Sequence, residues 1–469
     1  MILKFMKICL LCTGLFVLTT LILKGKTVHN MNIKMISTPV RSISTAQPET
    51  LFLNGKPTLV FGKNFRAHIL SVLKHSELTL TALLRKQEHI RNMSEHIVVT
   101  GWIARGNRTL STLQIYCCFY HADNRISSVK ADIRKTHFER SRARFDALQC
   151  VCPVYSATVP VIKVSLKEGR STCTKNVTQY VQVETIPKRK IDGVALCVKV
   201  LYAKLKASFM IEWFEAMRLL GVEKVFGYIN KDLNNDAKNV VKYYEEMGLA
   251  KAVSFEIPEN DTYTRHLDDK TFASRMDSGV PLLDCIERMH EYKYAVCLDK
   301  DEILIPENVP LKNSLKRYLA GIFQPNKTLA MMLFKTMVHV KSWDAVNPNH
   351  PLFIGRMANS TPAMWDREKY AFIPEGQVPG SCFSHRCRVQ HGYTSKFIED
   401  NSAMIHHFRS CREEWITGRS PKSQELFVNQ SEGKICSNFI RVKSYTIEIL
   451  ADQIKHNVLK VQSLLKIGK

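Results

Sequence analysis

YKYAVCLDKDEILIPENVP, Tyr292–Pro310, is the stretch on which the fold turns. Tyr294–Leu298 is an unbroken apolar run, the pattern of a strand buried on both faces of a parallel sheet. Asp299, Lys300, Asp301 and Glu302 follow, and Ile303–Pro306 is apolar again, so the charges form a polar island inside a buried segment. In open α/β sheets, ligands bind beyond the carboxyl ends of strands. If the chain stays extended, Asp299 and Asp301 share one face and Lys300 points elsewhere. Two hard oxygen donors on one face suit Mn²⁺ or Mg²⁺, with water and phosphate oxygens filling the remaining positions. Such a cation would offset the charge of a diphosphate leaving group. The plainer alternative, a solvated acidic turn, fits poorly between two apolar runs.

Working outward, Val194–Leu201 reads as a strand. Phe209, Met210, Trp213, Phe214, Met217 and Leu220 then follow a helical spacing that ends at Gly221. KVFGYI, KAVSFEI and YAVCLD read as strands, separated by helices in NNDAKNVVKYYEEMGL and PLLDCIERMHEY. This alternation predicts right-handed crossovers onto a mainly parallel sheet. Further on come an apolar run TLAMMLFKTM, an irregular Pro- and Gly-bearing segment over 341–390, a strand SAMIHHF, and a terminal helix over 442–465. Before residue 191 the pattern is β-rich. HIVVTGWIARGNRTLSTLQIYCCFY presents two strand-like runs about a Gly-Asn turn. A helix-like spacing also runs over 61–85. The expected organisation is a tail over 1–7, a transmembrane signal anchor over 8–23, a stem over 24–90, a β-rich subdomain over 91–190 and an α/β domain over 191–469.

The anchor is a charge-free run, Ile8–Leu23, flanked by Lys4, Lys7, Lys24 and Lys26. Sixteen residues of helix span about 24 Å, short of a ~30 Å hydrocarbon core but within the reach of a thinner membrane. A cleaved signal peptide is the competing reading, and no small-x-small site follows Leu23. Sequons begin at Asn92, Asn107, Asn176, Asn260, Asn326, Asn359 and Asn429, which suits a glycosylating lumen. Of the 14 cysteines, twelve lie beyond the anchor, an even number suited to disulfides. The formal net charge of +24 would point to nucleic acid in a cytosolic chain. The anchor and sequons oppose that, leaving anionic ligands such as sugar nucleotides, acidic glycans or lipid headgroups. No Walker, dinucleotide-binding, HExxH or nucleophile-elbow motif is present.

The order LCVKVLYA, FMIEWFEAMRLLGVEKVFGYI, VVKYYEEMGLAKAV, DCIERMHEYKYAVCLDKDEILIP, KYAFIPEGQV and HHFR, between Val194 and Arg409, resembles glycosyltransferase family 92. The resemblance implies a GT-A fold in the Golgi lumen. It implies inverting, Mn²⁺-dependent transfer from a UDP-sugar, with galactose onto a core fucose of an N-glycan as the family's example. Asp299 and Asp301 match the family's D-x-D, so Asp299 is expected on the ribose or the metal and Asp301 on the metal. Glu302 matches the adjoining acid and is expected to support them. His407 is the expected third metal ligand, with His391 a weaker competitor, and Arg409 the expected diphosphate partner. Phe408 stands where the family has tyrosine, Lys300 where an apolar residue is usual, and Ile373 where arginine is common. These departures keep open a second reading, a glycan-binding protein on a degenerate transferase scaffold. The base that deprotonates the acceptor hydroxyl is expected among Asp366, Glu368, Glu399 and Asp400. Asp366 ranks first because its neighbour Trp365 offers a wall for a sugar ring.

Overall fold

The computed structural model describes residues 58–61, 66–75, 95–104, 113–134, 145–155, 159–169, 173–174, 176, 179–187, 191–256, 258, 279–410 and 440–467. The chain divides into Met1–Leu51 and Phe52–Lys469. The expected tail, the anchor and the sequons at Asn92, Asn107, Asn260 and Asn429 lie outside the described residues. No helix among the described residues is long and apolar enough to cross a membrane.

Among the described residues, ten strands precede residue 191: β1 (Thr58–Phe61), β2 (Arg66–His75), β3 (Glu95–Ala104), β4 (Ile115–His121), β5 (Ile126–Lys130), β6 (Asp132–Ile133), β7 (Phe145–Val154), β8 (Val161–Glu168), β9 (Val181–Gln182) and β10 (Glu184–Ile186). They form two sheets, β1-β2-β3-β7-β6 with β10 beside β2, and β5-β4-β8-β9. Val72, Ile97, Val99 and Leu148 of the first sheet share a core with Phe119, Val164 and Leu166 of the second. Cys117–Cys152 bridges the sheets, and Cys118–Cys173 closes a second loop.

Two expectations are corrected here. Arg66–His75 is a strand, where a helix was expected over 61–85. Its pairing with β3 from Ala67↔Ile103 to His75↔His96 satisfies the backbone non-locally and overrides a weak helical spacing. The runs on either side of Gly106-Asn107 are also not a hairpin. β3 pairs with β2 and β7, whereas β4 pairs with β5 and β8 in the facing sheet.

The α/β part follows the expected alternation: β11 (Ile191–Leu201), α1 (Ala207–Leu220), β12 (Val222–Asn230), α2 (Asn235–Glu246), β13 (Ala250–Phe255), α3 (Gly279–Met289) and β14 (Tyr292–Cys297). Beyond it lie β15 (Glu302–Pro306), α4 (Ser314–Phe323), β16 (Leu329–Val340), α5 (Phe353–Arg356), β17 (Asn359–Ser360), β18 (Met364–Phe372), β19 (Thr394–Ile398), β20 (Ala403–Arg409), β21 (Val442–Lys443) and α6 (Tyr445–Leu464). The nine-stranded sheet runs β13-β12-β11-β14-β18-β16-β20-β15, with β19 also on β16. β13, β12, β11 and β14 are parallel; β18 lies antiparallel to β14 and β16, and β15 antiparallel to β20. The sheet is therefore parallel in one half and mixed in the other. β18 occupies part of the segment expected to be irregular.

The helices cover the two faces unequally. α1 buries Met210, Ile211, Trp213, Phe214, Met217 and Leu220 on one face, where α6 adds Ile447, Leu450, Ile454 and Val458. Gly221 ends α1 with φ 90° and closes onto the Arg218 carbonyl, the left-handed cap glycine favours. On the other face α3 is buried throughout its length, lodged between the main sheet and the first sheet of the β-sandwich. Cys197–Cys285 pins α3 to β11.

The charges of α3 are all matched. Glu287 meets Arg134, His75 and Gln149; Asp284 meets Ser71, Tyr228 and Arg288; and Arg288 also reaches Glu184. The even cysteine count does not translate into complete pairing. Cys150 and Cys297 are buried free thiols, pushed up by burial to about 12 and about 11, while Cys411 and Cys436 lie outside the described residues.

Candidate functional site

The strand order creates a switch point. From β11 the chain builds outward through β12 and β13, then returns to lay β14 on the other side of β11. In open sheets, ligands bind in the crevice outside the carboxyl ends of the strands at such a point, here those of β11 and β14. β14 ends at Cys297, and Asp299–Glu302 forms a turn closed by the Glu302 N–H on the Asp299 carbonyl at 3.0 Å. The two aspartates are therefore presented by a turn, and the extended-strand argument for their shared face does not hold. Lys300 does point away, with its ammonium 3.9 Å from the centre of the Tyr202 ring.

Asp299 is clamped. Lys199 Nζ donates to Oδ1 at 2.8 Å and Lys369 Nζ to Oδ2 at 2.6 Å. Lys199 comes from β11, where the register shifts between Cys197 and Val200 and Lys199 itself has φ 56°. A non-glycine residue held in that region is strained, a feature that concentrates at functional sites. Lys369 comes from β18 and is 1% exposed. Burial alone would raise the Asp299 carboxyl, but Lys199 and then Lys369 outweigh it and hold it well below the usual carboxylate range. Burial alone would lower Lys369; Asp299 and Glu302 outweigh that and raise it.

Glu302 is equally committed. Its Oε2 accepts the Asp299 N–H at 2.7 Å and faces Lys369 at 3.2 Å, and its Oε1 faces His407 Nδ1 at 3.4 Å. The last contact follows from sheet register, since Glu302 on β15 pairs with His407 on β20. Asp301, 29% exposed, has Oδ2 3.5 Å from His407 Nε2. Burial would lower His407, but Glu302, Asp301 and Asp299 raise it. Asp301 is lowered: burial opposes this, and His407 and Lys341 prevail.

Tested against a divalent cation, these residues divide. Asp301 and His407 offer one carboxylate oxygen and one imidazole nitrogen to the same space. Glu302 on Nδ1 orients the ring so that Nε2 faces that space, the usual support of a ligating histidine. Those two fit. Asp299 does not fit as it stands, because both its oxygens are engaged by lysines. Among the described residues no three His, Cys, Asp or Glu side chains form a ready cage.

The other expected residues fall as follows. Arg409 ends β20, two residues beyond His407 and opposite Val340. His406 is structural, linking His339 at 3.0 Å to Glu307 at 3.0 Å. Phe408 is fully buried, stacked on His339 at 4.5 Å. His391 is an exposed turn residue, and Ile373 packs against the main core. Asp366 lies on β18, three residues before Lys369; its side chain is outside the described residues. Glu399 receives the Trp365 indole N–H at 3.2 Å and pairs with Lys335. Glu368 faces Arg386 at 3.5 Å, and Asp400 is exposed.

Sequence reasoning missed Lys199, Lys369 and His385. His385 donates its Nδ1–H to the Glu368 carbonyl at 2.9 Å, inside the Cys382–Cys387 loop, and is lowered by burial and by Lys369. The available signal was the lone lysine inside VALCVKVL and the one before YAFI, since a charge in an apolar run requires a buried partner.

At the level of family, similarity to known proteins is found over the α/β part. No curated protein matches the chain. Among solved structures, HddC from Yersinia pseudotuberculosis aligns at 7% identity over 47% of this chain and 92% of its own, with a TM-score of 0.22. A UDP-glucose pyrophosphorylase complexed with UDP-glucose aligns at 9% identity over 56% of this chain and 99% of its own, with a TM-score of 0.21. Likeness at those scores carries no inference. The profile of glycosyltransferase family 92 matches residues 192–442, a span that begins on β11, contains the whole strand-end cluster and reaches β21, and the chain belongs to that family.

Proposed function

We propose that this protein transfers a hexose, galactose foremost, from a UDP-sugar to a glycan acceptor with inversion, on a GT-A-type sheet in the Golgi lumen behind a type II anchor. The observation that carries the reading is the cluster at the β11/β14 switch point, where Asp299, Asp301, Glu302, His407, Lys199 and Lys369 converge. Asp301 and His407 would hold Mn²⁺ or Mg²⁺, which supplies charge compensation for the departing diphosphate. Asp299, fixed by its lysines, faces the crevice as a hydrogen-bond acceptor for a ribose hydroxyl. Glu302 keeps His407 Nε2 aimed into the crevice. Arg409 is the diphosphate partner, and Asp366 takes the proton from the acceptor hydroxyl. Trp365, with Phe397 5.1 Å away, borders the acceptor side.

The second reading, glycan binding without turnover, is favoured by one observation: the engagement of both Asp299 oxygens by lysines. Purified full-length protein in detergent, given UDP-galactose, Mn²⁺ and a panel of fucosylated N-glycans, separates the two. A β-linked product, read by NMR of its anomeric proton, supports transfer. Glycan binding with no product from any UDP-hexose supports the second reading.

A further inference from the structure

The charges of the strand-end cluster are largely offset before any ligand arrives. Asp299 has one lysine on each oxygen, and Lys369 also reaches Glu302. Both lysines are buried, 8% and 1% exposed, so water screens little of their charge. Asp301 is the one carboxylate of the three without a lysine in contact at 4 Å or less, and Lys341 acts on it electrostatically. A free divalent cation approaching Asp301 thus meets three carboxylates already offset by Lys199, Lys369 and, without contact, Lys341, and so little net negative charge. A cation carried by a nucleoside diphosphate brings its own compensating oxygens, which also fill the coordination positions that Asp301 and His407 leave.

We propose that Lys199 and Lys369 act as positioning residues that neutralise Asp299 and keep it out of the metal's coordination shell, so that this site takes a divalent cation only together with a nucleoside diphosphate. The inference rests on the transferase reading and deepens it: Asp301 and His407 hold the metal–nucleotide complex, and Asp299 does not touch the metal. Linkage then requires UDP and the metal to tighten each other's binding by the same factor.

The test is Mn²⁺ binding to the full-length protein, followed by the loss of the free-Mn²⁺ paramagnetic resonance signal, with and without UDP. The account expects binding at least about tenfold tighter with UDP than without it, within the range of ordinary coupling between ligands. It expects Lys199→Met to raise the affinity for Mn²⁺ alone by about tenfold, about 1.4 kcal/mol, because Asp299 then regains a free oxygen. A merely structural role for Lys199 would not increase metal affinity. Asp301→Asn should abolish Mn²⁺ binding in both conditions. Lys369→Arg, which keeps the charge, serves where Lys199→Met fails to fold, and should leave Mn²⁺ alone bound as weakly as in the parent. Equal Mn²⁺ affinity with and without UDP, or a folded Lys199→Met that binds Mn²⁺ alone no more tightly than the parent, overturns the inference while leaving transfer intact. Absence of UDP binding in every condition overturns the transferase reading and the inference together.

Discussion

Lys300 and Lys369 carry the same charge and have opposite consequences. Lys300 lies beside both aspartates in sequence, yet its ammonium rests on the Tyr202 ring. Such a contact contributes about 0.5–1 kcal/mol. Lys300→Ala should therefore leave the transfer rate within about threefold of the parent in a UDP-release assay, a shift of under 1 kcal/mol. Lys369 is 70 residues from Asp299 and holds it directly. Lys369→Met strands the buried Glu302 and half of the Asp299 clamp, and should cost about 3 kcal/mol of stability in chemical denaturation. The aspartates were legible in the sequence because charges interrupt an apolar run. Their lysine partners were not, because pairing depends on strands that meet only in the folded sheet. Glu302 and His407 show the same limit: their contact is a matter of β15–β20 register.

At the scale of elements, the parallel half of the sheet and its helices were legible because each carries its own periodicity and punctuation. Gly221 was read as the end of α1, and its φ of 90° explains why. A Cβ there would also approach Asn313 Cα to 2.9 Å. Gly221→Ala should lower stability by about 1–2 kcal/mol, visible as a fall in Tm. β18 escaped notice because its partners β14 and β16 are remote in sequence and its register on β16 shifts between Phe334 and Thr336. β2 was mistaken for helix for the corresponding reason, as its strand character comes from β3.

Another element-scale consequence lies where α1 meets α5. Glu212, 2% exposed, accepts the N–H groups of Phe353 and Ile354 at 2.9 and 3.0 Å. Burial raises its carboxyl from 4.5 to about 7 despite those bonds. The folded state thus keeps a proton that the unfolded chain has released. The corresponding stability, about 3 kcal/mol, is complete below pH ~4.5 and lost as pH rises through about 7. Tm measured from pH 4.5 to 8 should fall less steeply in Glu212→Gln than in the parent.

Across the whole molecule, α3 joins the β-sandwich to the sheet that bears the site. Its carboxylates are buried with partners from both sides: Arg134, His75 and Gln149 on Glu287, and Ser71 and Tyr228 on Asp284. Removing one member of a buried charged set costs about 3–5 kcal/mol, because its partners are left unpaired. Glu287→Ala should lower denaturation stability by that amount. Hydrogen exchange should show β2, β3 and β7 losing protection together with β11. This weld was beyond the sequence, which shows a β-rich stretch and an α/β stretch but not that one helix is shared between them. The chemistry of the strand-end cluster on that sheet is tested by UDP release from UDP-galactose by the full-length protein with Mn²⁺ and a glycan acceptor, compared with Asp301→Asn. The account predicts release by the parent and a loss of at least about a hundredfold in the variant, with an unchanged Tm. Release by Asp301→Asn at the parental rate would contradict it.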